Sequence, residues 1–336
     1  MSTAGDTLAS KLIRAVNSPA GRALIALFLV LVLGILFHAD GTFFRFSTHS
    51  TALRQASVYG ILACGMTLVI ITGGIDLAVG SVLALGAVTF SLMSIHWGWS
   101  PLAAIPVCLG VGAACGGVSG ALAARFKIQP FIATLAMMVF ARGLAKMVSG
   151  QQKVATAKTL PDGETITYEL PRIYELIDSK IFNNFLPVVT IIFLVCVVLS
   201  WILLTRHRWG RELFAIGGNE EAARLSGVPV AWAKTMAYVA SGVLGAVAGI
   251  CQAAQETHGD PDAGVAYELR AIAIVVIGGT NLMGGRGGIG LTLIGTLTFT
   301  YLDKILSING IDLYGRLMLT GVIIIAAVLI QTRRRS

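Results

Sequence analysis

Charge is scarce in this chain: 12% of its 336 residues are Asp, Glu, Lys or Arg, whereas 55% are hydrophobic. Soluble domains carry about a quarter charged residues, so the solvent for much of this polypeptide is lipid. Cysteine is sparse as well. Cys64, Cys108, Cys115, Cys196 and Cys251 lie in apolar segments without CxxC or Cys/His spacing, which argues against a disulfide framework or a zinc site and leaves them as small packing residues. No GxxxxGK[ST] phosphate loop occurs, and the glycine run GGTNLMGGRGG lacks the lysine and hydroxyl that hold phosphate and magnesium. Nucleotide hydrolysis is therefore not expected of this chain. His38, His49, His96, His207 and His258 stand at or near segment ends without HExxH or triad context and read as interfacial polar residues. Neither catalysis, nor a metal, nor a bound cofactor is expected of the chain itself. The formal net charge is +8, but the basic residues flank apolar runs and lack the aromatic interleaving of a nucleic-acid groove, so no nucleic-acid partner is expected.

What remains is apolar length. A membrane-spanning helix needs about 20 apolar residues. Segments of that kind, some short, run over about 23–38, 52–72, 79–96, 101–124, 129–148, 185–204, 232–254, 268–283, 287–302 and 316–331. The expected fold is an all-α polytopic membrane protein of about ten transmembrane helices with broken, Gly-rich junctions. Its organisation is a polar arm, 1–22, without a signal-peptide cleavage pattern, followed by one transmembrane domain, 23–336. With these spans, Lys11, Arg14, Arg22, Arg125, Lys127, Arg206, Arg208, Arg211, Arg286 and Arg333 to Arg335 all fall on one side. The positive-inside rule makes that side the cytoplasm and places both termini there. Asp162, Glu164, Glu169, Glu175, Asp178, Glu256, Asp260, Asp262, Glu268 and Asp312 fall opposite.

Two polar segments interrupt the apolar pattern. The first, 149–184, contains Pro161, Gly163 and Pro171 and reads as an external loop with one short helix at 172–179, either a docking surface or an inert connection. The second, 206–231, lies on the basic side. Within it Asn219 is a helix N-cap, Glu220 and Glu221 suit the positive end of the helix dipole, and Gly227 and Pro229 supply the stop. So short a helix is unstable alone in water, which implies support from flanking spans and from a partner. The Ala222-Ala223 pair offers little side chain and so permits close approach, with Glu221 and Arg224 adding polar contacts.

Glycine occurs 39 times. Gly112, Gly116 and Gly120 form a small-residue row suited to close helix packing in lipid. GGIDLAVG at 73–80 and GGTNLMGG at 278–285 share Gly-Gly-x-(Asp/Asn)-Leu-x-x-Gly, each after an apolar helix running toward the basic side. Such an echo fits a duplicated helical unit whose Gly-interrupted ends flank a substrate path, and it also fits coincidence. Asp76 in the first copy requires hydrogen-bond partners, either as a cap for the third helix through the amides near Val79 and Gly80 or, in addition, as part of a moving hinge beside Gly73 and Gly74. Asn281 is its counterpart in the second copy.

Glu221-Ala222-Ala223 followed by Gly227 resembles the EAA-type coupling loop of bacterial ABC importer permeases, and GGNEEAARLSG resembles the ribose-type branch of that family. TGGIDLAVGS (72–81), QPFIATLAMMVFARG (129–143) and YELRAIAIVVIGGTNLMGGRG (267–287) spread the resemblance over most of the chain. It implies an inner-membrane permease subunit that carries a monosaccharide of the ribose, xylose, arabinose or galactose kind. It further implies an ABC ATPase subunit that holds ATP and magnesium, a periplasmic sugar-binding protein, and a second permease copy or paralogue. Gly218, Asn219, Glu220, Glu221, Ala222, Ala223, Ser226 and Gly227 then form the ATPase contact. For the path, the resemblance adds Phe131, Thr134, Met138 and Phe140 to Gly73, Gly74, Asp76 and Asn281; ordinary helix packing accounts for each of the first four equally well. The competing class is an ion-coupled secondary sugar transporter acting without an ATPase, which wants membrane-embedded carboxylates; here only Asp76 qualifies.

Overall fold

A computed structural model describes residue 16 and residues 18–159, 164–182 and 184–332. Lys11, Arg14, Pro161, Asp162, Gly163 and Arg333 to Arg335 lie outside the described residues. The described residues are overwhelmingly helical: α1 (Pro19–Leu36), α2 (Phe46–Ile71), α3 (Val79–Ser91, continued by a π turn at Leu92–His96), α4 (Pro101–Ala124), α5 (Pro130–Val148), α6 (Arg172–Asp178), α7 (Val188–Thr205), α8 (Arg208–Gly218), α9 (Glu220–Leu225), α10 (Val230–Glu256), α11 (Tyr267–Gly278), α12 (Ile289–Ile308) and α13 (Leu313–Thr332). Each of the ten expected apolar segments contains a helix, although the one in 268–283 ends at Gly278. Eight helices among the described residues are long and apolar enough to cross a membrane. α11 is not one of them: its 12 residues reach about 18 Å, a little over half of the hydrocarbon thickness.

Proline and serine start the helices as local chemistry dictates. Pro19, Pro101 and Pro130 stand at the first helical positions, where the absent N–H costs nothing. The Ser18 hydroxyl caps α1 by accepting from the Gly21 amide at 3.0 Å. Burial then sorts the layers. α2, α3 and α10 form the enclosed centre, whereas α1 and α5 show most of their apolar surface on the outside. α4 lies against α10 along the row Gly112, Gly116, Gly120, where any Cβ would collide with the α10 backbone at Gly242, Tyr238 and Thr235. The small-residue row is therefore a packing seam, as its spacing predicts. All five cysteines are free and buried.

The predicted loop 149–184 holds the strand pair Ala157–Thr159 with Thr165–Thr167 and the short α6 near the expected 172–179, and its end pairs onward, Lys180–Ile181 with Leu186–Pro187. Ion pairs pin this end of the bundle: Arg54 with Asp178 at 2.6 Å, Lys146 with Asp262 at 2.7 Å and Lys153 with Asp260 at 3.2 Å.

Candidate functional site

The polar connection between α7 and α10 lies at the end of the bundle opposite the hairpins. Asn219 is extended and its Oδ1 accepts from the Ala222 amide at 3.0 Å, so the expected cap is present. Glu220 and Glu221 occupy the first turn of α9, and Arg224 reaches back to both, at 3.0 and 3.4 Å. Lys234 at the foot of α10 holds the other oxygen of Glu220 at 3.0 Å, which fixes the helix to the bundle. Gly227 takes φ +82°, and the amides of Gly227 and Val228 donate to the carbonyls of Arg224 and Ala223, both at 3.0 Å. This is a Schellman stop, which requires the left-handed conformation that glycine adopts without strain.

The alanine pair differs from expectation in one respect. Ala222 is exposed, but Ala223 is buried in the core of its own chain, because with 3.6 residues per turn adjacent positions point about 100° apart. The open surface of α9 comprises Glu221, Ala222, Arg224, Leu225, Ser226 and Gly227, with Leu225 82% exposed. Gly218 and Asn219 border it, also exposed.

The sequence reading missed α8. His207 caps it, accepting from the Trp209 amide at 3.2 Å, and Trp209, Leu213 and Ile216 bury one stripe. Their i, i+4, i+7 spacing carries the signal that would have revealed the helix. At its end α8 touches the two glycine breaks. A Cβ on Gly217 would collide with the Ile71 carbonyl and the Gly285 amide, which are themselves joined by a hydrogen bond of 2.9 Å. A Cβ on Gly284 would stand 2.8 Å from the Gly73 nitrogen. The two echoing motifs thus meet each other and the helix that leads into α9.

Their acidic and amide residues do different work. Asp76 is buried; its Oδ1 accepts from the Ala78 amide at 3.0 Å and its Oδ2 from the Ser241 hydroxyl at 2.7 Å. The expected bonds from Val79 and Gly80 are replaced by one from the residue that caps α3 and one from the middle of α10. Asn281 organises only its own loop, accepting from the Met283 amide at 3.2 Å and donating to the Gly284 carbonyl at 3.1 Å. Gly74 faces the Tyr238 hydroxyl. Thr134 on α5 is buried, its hydroxyl 2.9 Å from the Pro130 carbonyl of its own helix and 3.2 Å from the Ile75 carbonyl at the first break. Met138 is half-buried among α3 and α5 side chains, whereas Phe131 and Phe140, 53% and 61% exposed, face out of the bundle.

A polytopic helical bundle with irregular glycine segments at its centre and a capped polar helix at one end has the architecture of a membrane transport subunit. A family model described as branched-chain amino acid transport system / permease component matches residues 49–328, and the chain belongs to this family. It is 38% identical over 322 residues to the ribose import permease protein RbsC of Escherichia coli (strain K12), covering 94% of each chain. It is 35% identical over 316 residues to the fructose import permease protein FrcC of Rhizobium meliloti, covering 94% of this chain and 86% of the relative. The galactofuranose transporter permease protein YtfT of Escherichia coli (strain K12) is 34% identical over 283 residues, covering 84% of this chain and 79% of the relative. No solved structure matches the chain.

Proposed function

We propose that this chain is the membrane-spanning permease subunit of an ATP-binding-cassette importer for a monosaccharide. The relatives named for ribose, fructose and galactofuranose import support the substrate class. The observation that carries the mechanism is the junction of Gly217, Ile71 and Gly285 directly behind α9. A displacement of α9 by a docked ATPase reaches both central breaks through backbone contact, with no flexible side chain between them. Gly218, Asn219, Glu220, Glu221, Ala222, Leu225, Ser226 and Gly227 form the docking helix, with Ala223 as its anchor. ATP and magnesium belong to the partner subunit.

In this reading the α9 end is cytoplasmic with both termini, and the hairpin end receives sugar from a periplasmic binding protein. The exposed face of α5, including Phe131 and Phe140, meets a second permease copy or paralogue. Gly73, Gly74, Asp76, Thr134, Met138 and Asn281 move with or border the path. The test is reconstitution in liposomes. Uptake of a monosaccharide is expected only with the ATPase, the binding protein and ATP; uptake by the chain alone driven by a proton or sodium gradient overturns the proposal.

A further inference from the structure

Arg270 lies one turn into α11, and its guanidinium donates through Nη1 to the hydroxyl of Tyr59, near the middle of α2. Its Cζ is 5.0 Å from the Tyr59 ring centroid and 5.4 Å from that of Tyr267, and the two rings meet edge to face at 4.8 Å. α11 is a half-helix of 12 residues: the loop after it reaches the Ile71 end of α2 through Gly285, and its first turn reaches Tyr59 near the middle of α2, so that turn lies at mid-depth in the bundle. Arg270 is therefore a fixed cation deep inside a membrane protein.

Among the described residues this cation makes no ion pair. Arg270 is 8% exposed, and no carboxylate lies within ion-pair distance of it among the described residues. Of the nearby acids, Asp303 pairs with Arg316 at 2.9 Å, and the Glu268 carboxylate turns toward Gly80 at the start of α3. A guanidinium presents five N–H donors in a planar fork and cannot shed its charge, and here one donor is used. Arg270 keeps 8% of its surface open, and its remaining nitrogens make no hydrogen bond among the described residues. The α11 N-terminus adds to the same potential, since its cap residue Ala266 has no side chain to satisfy the free amides.

We propose that Arg270, with Tyr59 and Tyr267, is a substrate-recognising site for the carboxylate of an acidic monosaccharide. The tyrosine pair supplies an aromatic wall and one hydroxyl, and the free edge of the guanidinium supplies bidentate donors of the kind that match a carboxylate. A neutral sugar would leave the charge uncompensated. This inference rests on the importer reading above and narrows its substrate class.

The test uses the complete importer in proteoliposomes with labelled D-galacturonate and D-ribonate set beside D-galactose and D-ribose. ATP-dependent uptake of an acid in preference to its neutral counterpart is expected. R270Q should reduce acid uptake about tenfold or more, the loss expected for a charge-assisted hydrogen bond, while R270K retains part of it. Thermal unfolding of purified R270Q and R270K shows whether each assembles, and the comparison of acid with neutral sugar in the unmodified importer needs no variant. ATP-dependent uptake of neutral sugars alone, or acid uptake unchanged in an assembled R270Q, overturns the site and leaves the importer standing. ATP-independent behaviour toward every sugar overturns the importer reading itself.

Discussion

The amide of Gly285 donates to the carbonyl of Ile71 at 2.9 Å, tying the loop after α11 to the last residue of α2. Because Ile71 ends its helix, its carbonyl would otherwise lack an intrahelical partner. Gly217 of α8 lies directly against both groups, so three chain segments share one point with no side chain between them.

Substitution at that point therefore separates neighbouring glycines. Gly217→Ala inserts a methyl group into backbone and is expected to destabilise by about 1–3 kcal/mol, the usual range for overpacking, and to depress transport further than the stability loss explains. Gly218→Ala, with open space around it, is expected to leave stability unchanged. Thermal unfolding of both variants in nanodiscs, alongside uptake, checks the contrast; equal behaviour of the two would remove the junction from the mechanism.

At Asp76 the predicted contrast is between Asn and Ala. Asn retains an oxygen for the Ala78 amide and offers an amide to the Ser241 hydroxyl, which can accept as well as donate. Ala leaves both groups buried without a partner and is expected to lose about 1–3 kcal/mol. An Asp76→Asn variant that unfolds at the wild-type temperature yet does not transport would show that the charge itself acts in the cycle; full transport by Asp76→Ala would exclude Asp76 from it.

On α9, cysteines at Ala222 and Leu225 should crosslink to an ATPase partner, whereas a cysteine at Ala223 should not, since that side chain points into its own bundle. The five native cysteines are buried and make a low background. A membrane-impermeant maleimide applied to intact cells should leave Ser226→Cys unlabelled and label Thr165→Cys on the hairpin. The reverse pattern would invert the proposed orientation.

Gly227→Leu places a side chain at φ +82° with open space around it. The expected cost is about 1–2 kcal/mol of local backbone strain, felt as fraying of α9 and weaker stimulation of ATP hydrolysis by sugar rather than as loss of assembly. Hydrogen exchange at Ala222 to Val228 measures the fraying directly; unchanged protection there would show that the stop does not depend on glycine.

The sequence by itself determined the elements whose causes lie within a few residues of each other. Ten apolar segments, the Asn219 cap, the Gly227 stop and the Gly112, Gly116, Gly120 seam follow from helix length, local hydrogen bonding and side-chain size. α8 was legible in the same way through Trp209, Leu213 and Ile216. The tertiary structure alone decided which distant groups meet. Asp76 finds Ser241 across 165 residues of sequence, Gly217 comes to rest between Ile71 and Gly285, Ala223 turns inward, and Arg270 is enclosed by tyrosines without an acid. Backbone caps depend on neighbours along the chain. These contacts depend on how whole helices pack, which the local pattern of residues does not encode.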